Sequence, residues 1–222
     1  MSKIESINEF VIKFANVNGS GSASANQMFA KGVFRSGIPV SPKNIFPSNI
    51  QGLPTWFEVR VSEKGYLGRK DGIDIFVAMN PQSYYQDLQE LNPGGYFIYD
   101  SSWERKFDRE DVNVLGIPLV KLCLEFPNLK QRLLFKNLVY VGALSFMLGI
   151  DKEIYIKLIE EQFKGKEKLI APNIRALEIG FEYAKENLED ACDIRVKKSN
   201  KTDGLILTSG NDAAGLGSVY GG

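Results

Sequence analysis

A branched and aromatic run, FVIKFANV (residues 10–17), passes directly into NGSGSASAN (residues 18–26), where nearly every side chain is small. The first stretch has the composition of a strand. Behind the small residues, SANQMFAKGVFRSG sets Met28, Phe29, Val33 and Phe34 on a helical stripe that stops at Gly37. A strand, a glycine-rich turn and a helix in that order make one α/β unit. Small residues at such a turn let backbone N–H groups approach a ligand closely, and the start of a helix favours an anion. Two readings follow, a phosphate-bearing ligand at the turn or a tight structural turn and nothing more.

The unit is an imperfect match to the known phosphate loops. Gly19-Ser20-Gly21 fits the opening of a dinucleotide fingerprint, but Ser24 stands where the third glycine belongs, and no acidic residue ends the next strand to hold a ribose. No Gly-Lys-Ser/Thr follows, so it is not a P-loop either. These absences argue against NAD and leave the identity of a phosphate ligand open.

The alternation of strand and helix continues. TWFEVRVS (55–62) sets Trp56, Glu58 and Arg60 against Phe57, Val59 and Val61, the period of a strand with two unlike faces. IDIFVAMN (73–80) is apolar throughout from Ile73 to Met79 apart from Asp74, as a central strand covered on both sides would be. Pro81 suits the first turn of a helix over PQSYYQDLQEL, and Gly94-Gly95 separates that helix from the strand YFIYDSS. After VNVLGIPL the texture becomes helical. LKQRLLFKNLVYVGALSFMLGI is too apolar to face water and is read as a helix packed between layers, followed by KEIYIKLIEEQF and NIRALEIGFEYAKENL. The pattern predicts an α/β fold, Rossmann-like, with a mostly parallel sheet, helices on both faces and a helical C-terminal part.

Residues 1–188 are expected to form one domain. The polar, charged stretch 189–204 reads as a linker. LILTSGNDAAGLGSVYGG (205–222) reads as a strand, a second small-residue turn and the opening of a helix, which suggests that the chain is a fragment of a longer polypeptide.

Composition excludes several function classes. Lys plus Arg and Asp plus Glu are both 27, so no basic excess draws the chain to nucleic acid or to an anionic membrane. MSKIESINEF lacks the apolar core of a signal peptide, and no run reaches the roughly 20 apolar residues of a spanning helix, so a cytoplasmic location is expected. Histidine is absent, which removes Ser-His-Asp and Cys-His triads and imidazole metal sites. The two cysteines, Cys123 and Cys192, cannot by themselves form an iron–sulfur or tetrathiolate zinc site and read as packing residues.

One further stretch stands out. FPSNIQGLPTWFEVRVS sets a polar turn between two prolines, with Ser48, Asn49 and Gln51 as donors and acceptors and Gly52 allowing a close backbone turn. Alone it is read as a loop.

Taken in order, VIKFANVNGSGSASANQMFAKGVFRSG, FPSNIQGLPTWFEVRVS and IDIFVAMNPQSYYQDLQELNPGGYFIYDSS resemble the gamma domain of 2-oxoacid:ferredoxin oxidoreductases, of the 2-oxoglutarate or broad 2-oxoacid type. In its fused form that domain opens the alpha subunit, and LTSGNDAAGLGSVYGG looks like the start of the pyrimidine-binding domain that follows. The resemblance implies an enzyme that decarboxylates a 2-oxoacid on thiamine diphosphate with Mg, passes electrons through 4Fe-4S clusters to ferredoxin, and releases an acyl-CoA. It implies that this domain helps to bind and cover coenzyme A, with Gly19, Gly21 and Ser22 against the coenzyme and Ser48, Asn49 and Gln51 lining the same cleft. Family members commonly carry an arginine and paired glycines in the second motif, where Gln51, Gly52 and Leu53 stand here. The other implied partners are the remaining alpha-subunit domains and a beta subunit. They would carry the catalytic and metal-binding residues, so the isolated chain is expected to be inactive. The alternatives are a stand-alone gamma-like module and a flavodoxin-like or nucleotide-binding module without activity.

Overall fold

A computed structural model describes residues 3–17, 19–46 and 54–222. Its elements run β1 (Glu5–Ile7), β2 (Glu9–Asn16), α1 (Ser22–Arg35), β3 (Val40–Ile45), β4 (Thr55–Ser62), β5 (Ile73–Ala78), α2 (Tyr84–Glu90), β6 (Leu91–Asp100), β7 (Asn113–Ile117), α3 (Leu119–Leu122), α4 (Leu129–Leu148), α5 (Lys152–Gln162), α6 (Ile170–Asn187), β8 (Asp193–Arg195) and α7 (Gly210–Gly221).

The main sheet has the order β3-β4-β2-β5-β6-β7. β2, β5, β6 and β7 run parallel, while β4 runs antiparallel to both β2 and β3. The sheet is therefore mostly parallel, as the pattern predicts, with an antiparallel edge pair added. β3 is not legible as a strand because Ser41, Pro42, Lys43 and Asn44 interrupt its apolar character. Proline is tolerated there because β3 is an edge strand.

Alternation along the strands separates two cores. Phe10, Ile12 and Phe14 of β2 and Phe57, Val59 and Val61 of β4 pack with α1, α4, α5 and α6 on one face. Val11 and Ala15, with Phe76, Phe97 and Leu88 of α2, form the smaller core on the other. All six residues of β5 are buried, which is why that strand reads as apolar on both sides.

α4 lies between the sheet and α6. The two helices cross at a pair of glycines: a Cβ at Gly142 would fall 1.9 Å from the Leu177 carbonyl oxygen, and one at Gly180 would fall 1.8 Å from that of Val139. Only glycine permits backbones this close.

The stretch 189–204, polar in sequence, is tied to the domain along most of its length. β8 pairs parallel with β1, and Cys192, Ile194 and Val196 are buried. Ser199 N donates to Ser36 O at 2.9 Å, Lys201 N to Gly37 O at 3.0 Å, and Thr202 Oγ1 to Phe34 O at 2.8 Å. Beyond Thr202 the expected strand does not form. Leu205 and Ile206 are exposed and make no ladder, because a strand exists only against a neighbour that takes its hydrogen bonds. α7 follows, capped by Ser209.

Candidate functional site

The helix after β2, α1, packs on one face of the sheet, and the helix after β5, α2, packs on the other. β2 and β5 are hydrogen-bonded neighbours whose C-terminal ends abut, with Met79 N donating to Ala15 O at 2.8 Å. Where consecutive helices leave neighbouring parallel strands for opposite faces, the strand ends open a crevice, the usual ligand position in an open α/β sheet. The glycine turn forms one lip of this crevice.

Gly19 and Gly21 both hold positive φ, +79° and +75°, and Gly21 is the N-cap of α1. Glycine provides no side-chain cap for the first turn of α1. Asn128, Asp151 and Ser209 provide one at the starts of α4, α5 and α7. The first N–H groups of a helix have no partner within it, so an uncapped start offers donors and a positive dipole end to an anion. Ser22 opens the helix, and Ser20 Oγ donates to Ser22 Oγ at 3.1 Å.

The turn rests on α4. Asn137 Nδ2 donates to Ser20 O at 2.9 Å, and a Cβ at Gly21 would lie 2.6 Å from Leu134 Cδ2. Tyr140 OH donates to Asn26 Oδ1 at 2.6 Å in a buried contact between α4 and α1. At the end of β2, the buried Oδ1 of Asn16 has no partner among the described residues.

Ser48, Asn49 and Gln51 lie outside the described residues. Their flanks are placed: Thr55 pairs with Asn16 and Ile45 with Trp56, so the chain leaves β3 and enters β4 at the same end of the sheet as the glycine turn. Trp56 is fixed from the α2 side, where Asp87 accepts from its Nε1 at 2.8 Å and from Ser83 Oγ at 2.7 Å. Asp87 is fully buried, and that burial pushes its carboxyl up to about 6. Beside it Lys13 pairs with Glu90 and stands 5.4 Å from the Trp56 ring centroid. Asp87 and Asn137 had no local signal in the sequence; each acts on a partner from a distant segment.

A groove of about 980 Å³ begins at Ala23 and Ser24 on the first turn of α1. It follows α1 to Phe34 and is walled by Leu158, Glu161 and residues 202–207. Among the described residues no group of three or more His, Cys, Asp or Glu could hold a metal ion. Burial pushes the thiols of Cys123 and Cys192 up to about 11, so neither is poised as a nucleophile. No helix of the described residues is long and apolar enough to cross a membrane.

The family described as pyruvate ferredoxin/flavodoxin oxidoreductase matches residues 11–183. The chain belongs to this family. Among solved members, the 2-oxoglutarate:ferredoxin oxidoreductase of Magnetococcus marinus, with 2-oxoglutarate, coenzyme A and succinyl-CoA bound, is 29% identical. It superposes with a TM-score of 0.84 over 97% of this chain and 37% of that one. The ketoisovalerate oxidoreductase subunit VorA of Methanothermobacter thermautotrophicus is 28% identical over 184 residues, 82% of this chain and 38% of VorA. A keto/oxoacid ferredoxin oxidoreductase gamma subunit from Geobacter sulfurreducens, 19% identical, shares the fold with a TM-score of 0.65 over 80% of this chain and 99% of that subunit. The chain thus spans little more than a third of VorA and of the Magnetococcus enzyme. The sequence resemblance to 2-oxoacid:ferredoxin oxidoreductases and the α/β fold expected from it agree with these matches.

Proposed function

We propose that this chain is the gamma-type domain of a 2-oxoacid:ferredoxin oxidoreductase and that it holds coenzyme A for acyl transfer. The observation that carries the reading is the uncapped glycine turn at the strand-end crevice. The likeness over 97% of the chain to an enzyme solved with coenzyme A bound supports it. On this reading the amides of Gly21, Ser22 and Ala23 take a phosphate of the coenzyme, and Gly19 keeps the approach clear of side chains. Ser48, Asn49 and Gln51 contribute further polar groups, and the groove along α1 has a volume suited to the remainder of a ligand that size.

When bound, coenzyme A supplies the thiol that accepts the acyl group. This chain's part is to grip the phosphates and to hold the coenzyme in one pose. Its own residues do not fit the other implied groups. It has two cysteines, both buried, where a cluster needs about four thiolates. Thiamine diphosphate, Mg and 4Fe-4S clusters are therefore assigned to the rest of an alpha subunit and to a beta subunit, with ferredoxin as acceptor. Within this proposal residues 1–188 are the gamma domain, 189–204 the connection and 205–222 the start of the thiamine-enzyme domain. The substrate is a 2-oxoacid, with 2-oxoglutarate favoured by the likeness to the Magnetococcus enzyme.

The test is a calorimetric titration of coenzyme A, and separately of pantetheine, into the chain. Assays of the assembled enzyme with pyruvate, 2-oxoglutarate and branched 2-oxoacids complete it. Weak binding of coenzyme A that pantetheine does not match is expected. Equal affinity for the two removes the phosphate grip, and an assembled enzyme indifferent to coenzyme A removes the whole reading.

A further inference from the structure

The hydrogen bond from Asn137 to the Ser20 carbonyl fixes more than a loop position. In a trans peptide the C=O and N–H point to opposite sides. With the Ser20 carbonyl turned toward α4, the Gly21 N–H of the same peptide unit is turned away from α4, toward the exposed side of the turn. No acceptor for that N–H appears among the described residues. Rotating this one peptide by half a turn would replace the donor with a carbonyl oxygen. An anion approaching the turn would then meet a partial negative charge.

Such a rotation changes ψ at residue 20 and φ at residue 21, and glycine at position 21 lacks the Cβ that would ordinarily oppose it. Glycine is nonetheless required there. Its φ is +75°, a conformation that side-chain-bearing residues rarely adopt. The backbone of the turn therefore selects a flip-prone residue through its positive φ, and α4 supplies, through Asn137, the amide that opposes the flip. The helix itself is held firmly. Tyr140, three residues beyond Asn137, is fully buried and bonded to Asn26 of α1, and Gly142 is locked against the backbone of α6. Asn137 is 3% exposed on a helix that is otherwise apolar from Leu138 to Leu144 save for Tyr140 and Gly142, and a buried amide is retained only where it is bonded.

We propose that Asn137 is a positioning residue that locks the Ser20–Gly21 peptide with its N–H facing the mouth of the turn, so that the start of α1 presents donors only. Its consequence for binding rests on the coenzyme A reading above; the lock itself does not.

Two variants test it in the full chain. Asn137→Leu keeps the volume and removes the donor, and Asn137→Gln keeps an amide on a longer arm. Amide exchange and chemical shifts of Gly21 and Ser22 report the peptide orientation directly. Melting temperature reports any general loss of fold, and titrations with coenzyme A and with pantetheine report binding. The Leu variant is expected to shift the Gly21 and Ser22 signals, to weaken coenzyme A by about three- to tenfold, as loss of one hydrogen bond implies, and to leave pantetheine unchanged. The Gln variant is expected to recover part of the loss. Unchanged Gly21 and Ser22 signals in the Leu variant overturn the lock. A lowered melting temperature with coenzyme A affinity intact also overturns it, because Asn137 would then only support the fold. If coenzyme A fails to bind even the unsubstituted chain while the Leu variant still reorients the peptide, the lock stands and the coenzyme assignment falls. Asn137→Ser, too short to reach Ser20, replaces the Leu variant if that one does not fold.

Discussion

Gly19 is the position at which charge can be separated from shape. Its φ is +79°, and among the described residues beyond its chain neighbours no atom lies within 4 Å of where its Cβ would be. Asn and Asp are the side chains most tolerant of that conformation and are nearly equal in size. Gly19→Asn and Gly19→Asp should therefore fold alike and differ by one negative charge at the mouth of the turn. Gly21 offers a less clean comparison, since a side chain there would first have to displace the exposed Leu134 side chain. A carboxylate about 6 Å from a phosphate, at an effective dielectric of about 40 to 80, is repelled by about 0.7 to 1.4 kcal/mol per unit charge. That corresponds to about a three- to tenfold weaker Kd for Asp than for Asn. Titrating coenzyme A into both variants at low and high ionic strength measures the ratio directly, and screening over about 8 Å at physiological salt should shrink it. Equal affinities, or a ratio indifferent to salt, would refute phosphate binding at this turn.

Other outcomes follow from the packing. Gly142→Ala and Gly180→Ala each force a Cβ into a backbone carbonyl of the facing helix, so each should cost about 1 to 3 kcal/mol or more and lower the melting temperature; a neutral result would mean that α4 and α6 separate easily. Desolvation raises the Asp87 carboxyl from 3.8 to about 6, so between these values the folded chain keeps a proton that the unfolded chain has released. Stability should fall as pH rises through that window, and Asp87→Asn should flatten the fall in denaturant titrations at pH 4 and pH 7; parallel curves for the two proteins would refute this. The amides of Ser199 and Lys201, bonded to Ser36 and Gly37, should exchange slowly, while that of the exposed Ile206 should exchange fast. Protection of Ile206 equal to that of Ser199 and Lys201 would contradict this difference.

What the sequence displayed depended on the range of the cause. β2, β5 and α4 were legible because their patterns follow from burial of neighbouring residues along one element. β3 was hidden by Pro42, and β8 by its length of three residues, because short or edge strands are defined by their partners. The direction of β4 was equally invisible, since alternation of Trp56, Glu58 and Arg60 with Phe57, Val59 and Val61 is the same in either orientation.

The candidate site divides along the same line. The glycine turn could be located from Gly19, Gly21 and Ser22 because small residues between a strand and a helix are a local signal. Which way its peptide groups point could not, because Asn137 lies 117 residues from Ser20 and reads, in its own segment, as one polar residue in an apolar helix. Asp87 is a parallel case, a buried carboxylate that fixes Trp56, 31 residues away, at the entrance to β4. Small residues leave an anion site open, and they also leave it undetermined, since glycine accepts either peptide orientation at little cost. A usable site therefore needs a rigid outside support. In this fold α4 is placed to give it, with Asn137 bonded to the turn and Gly142 against α6.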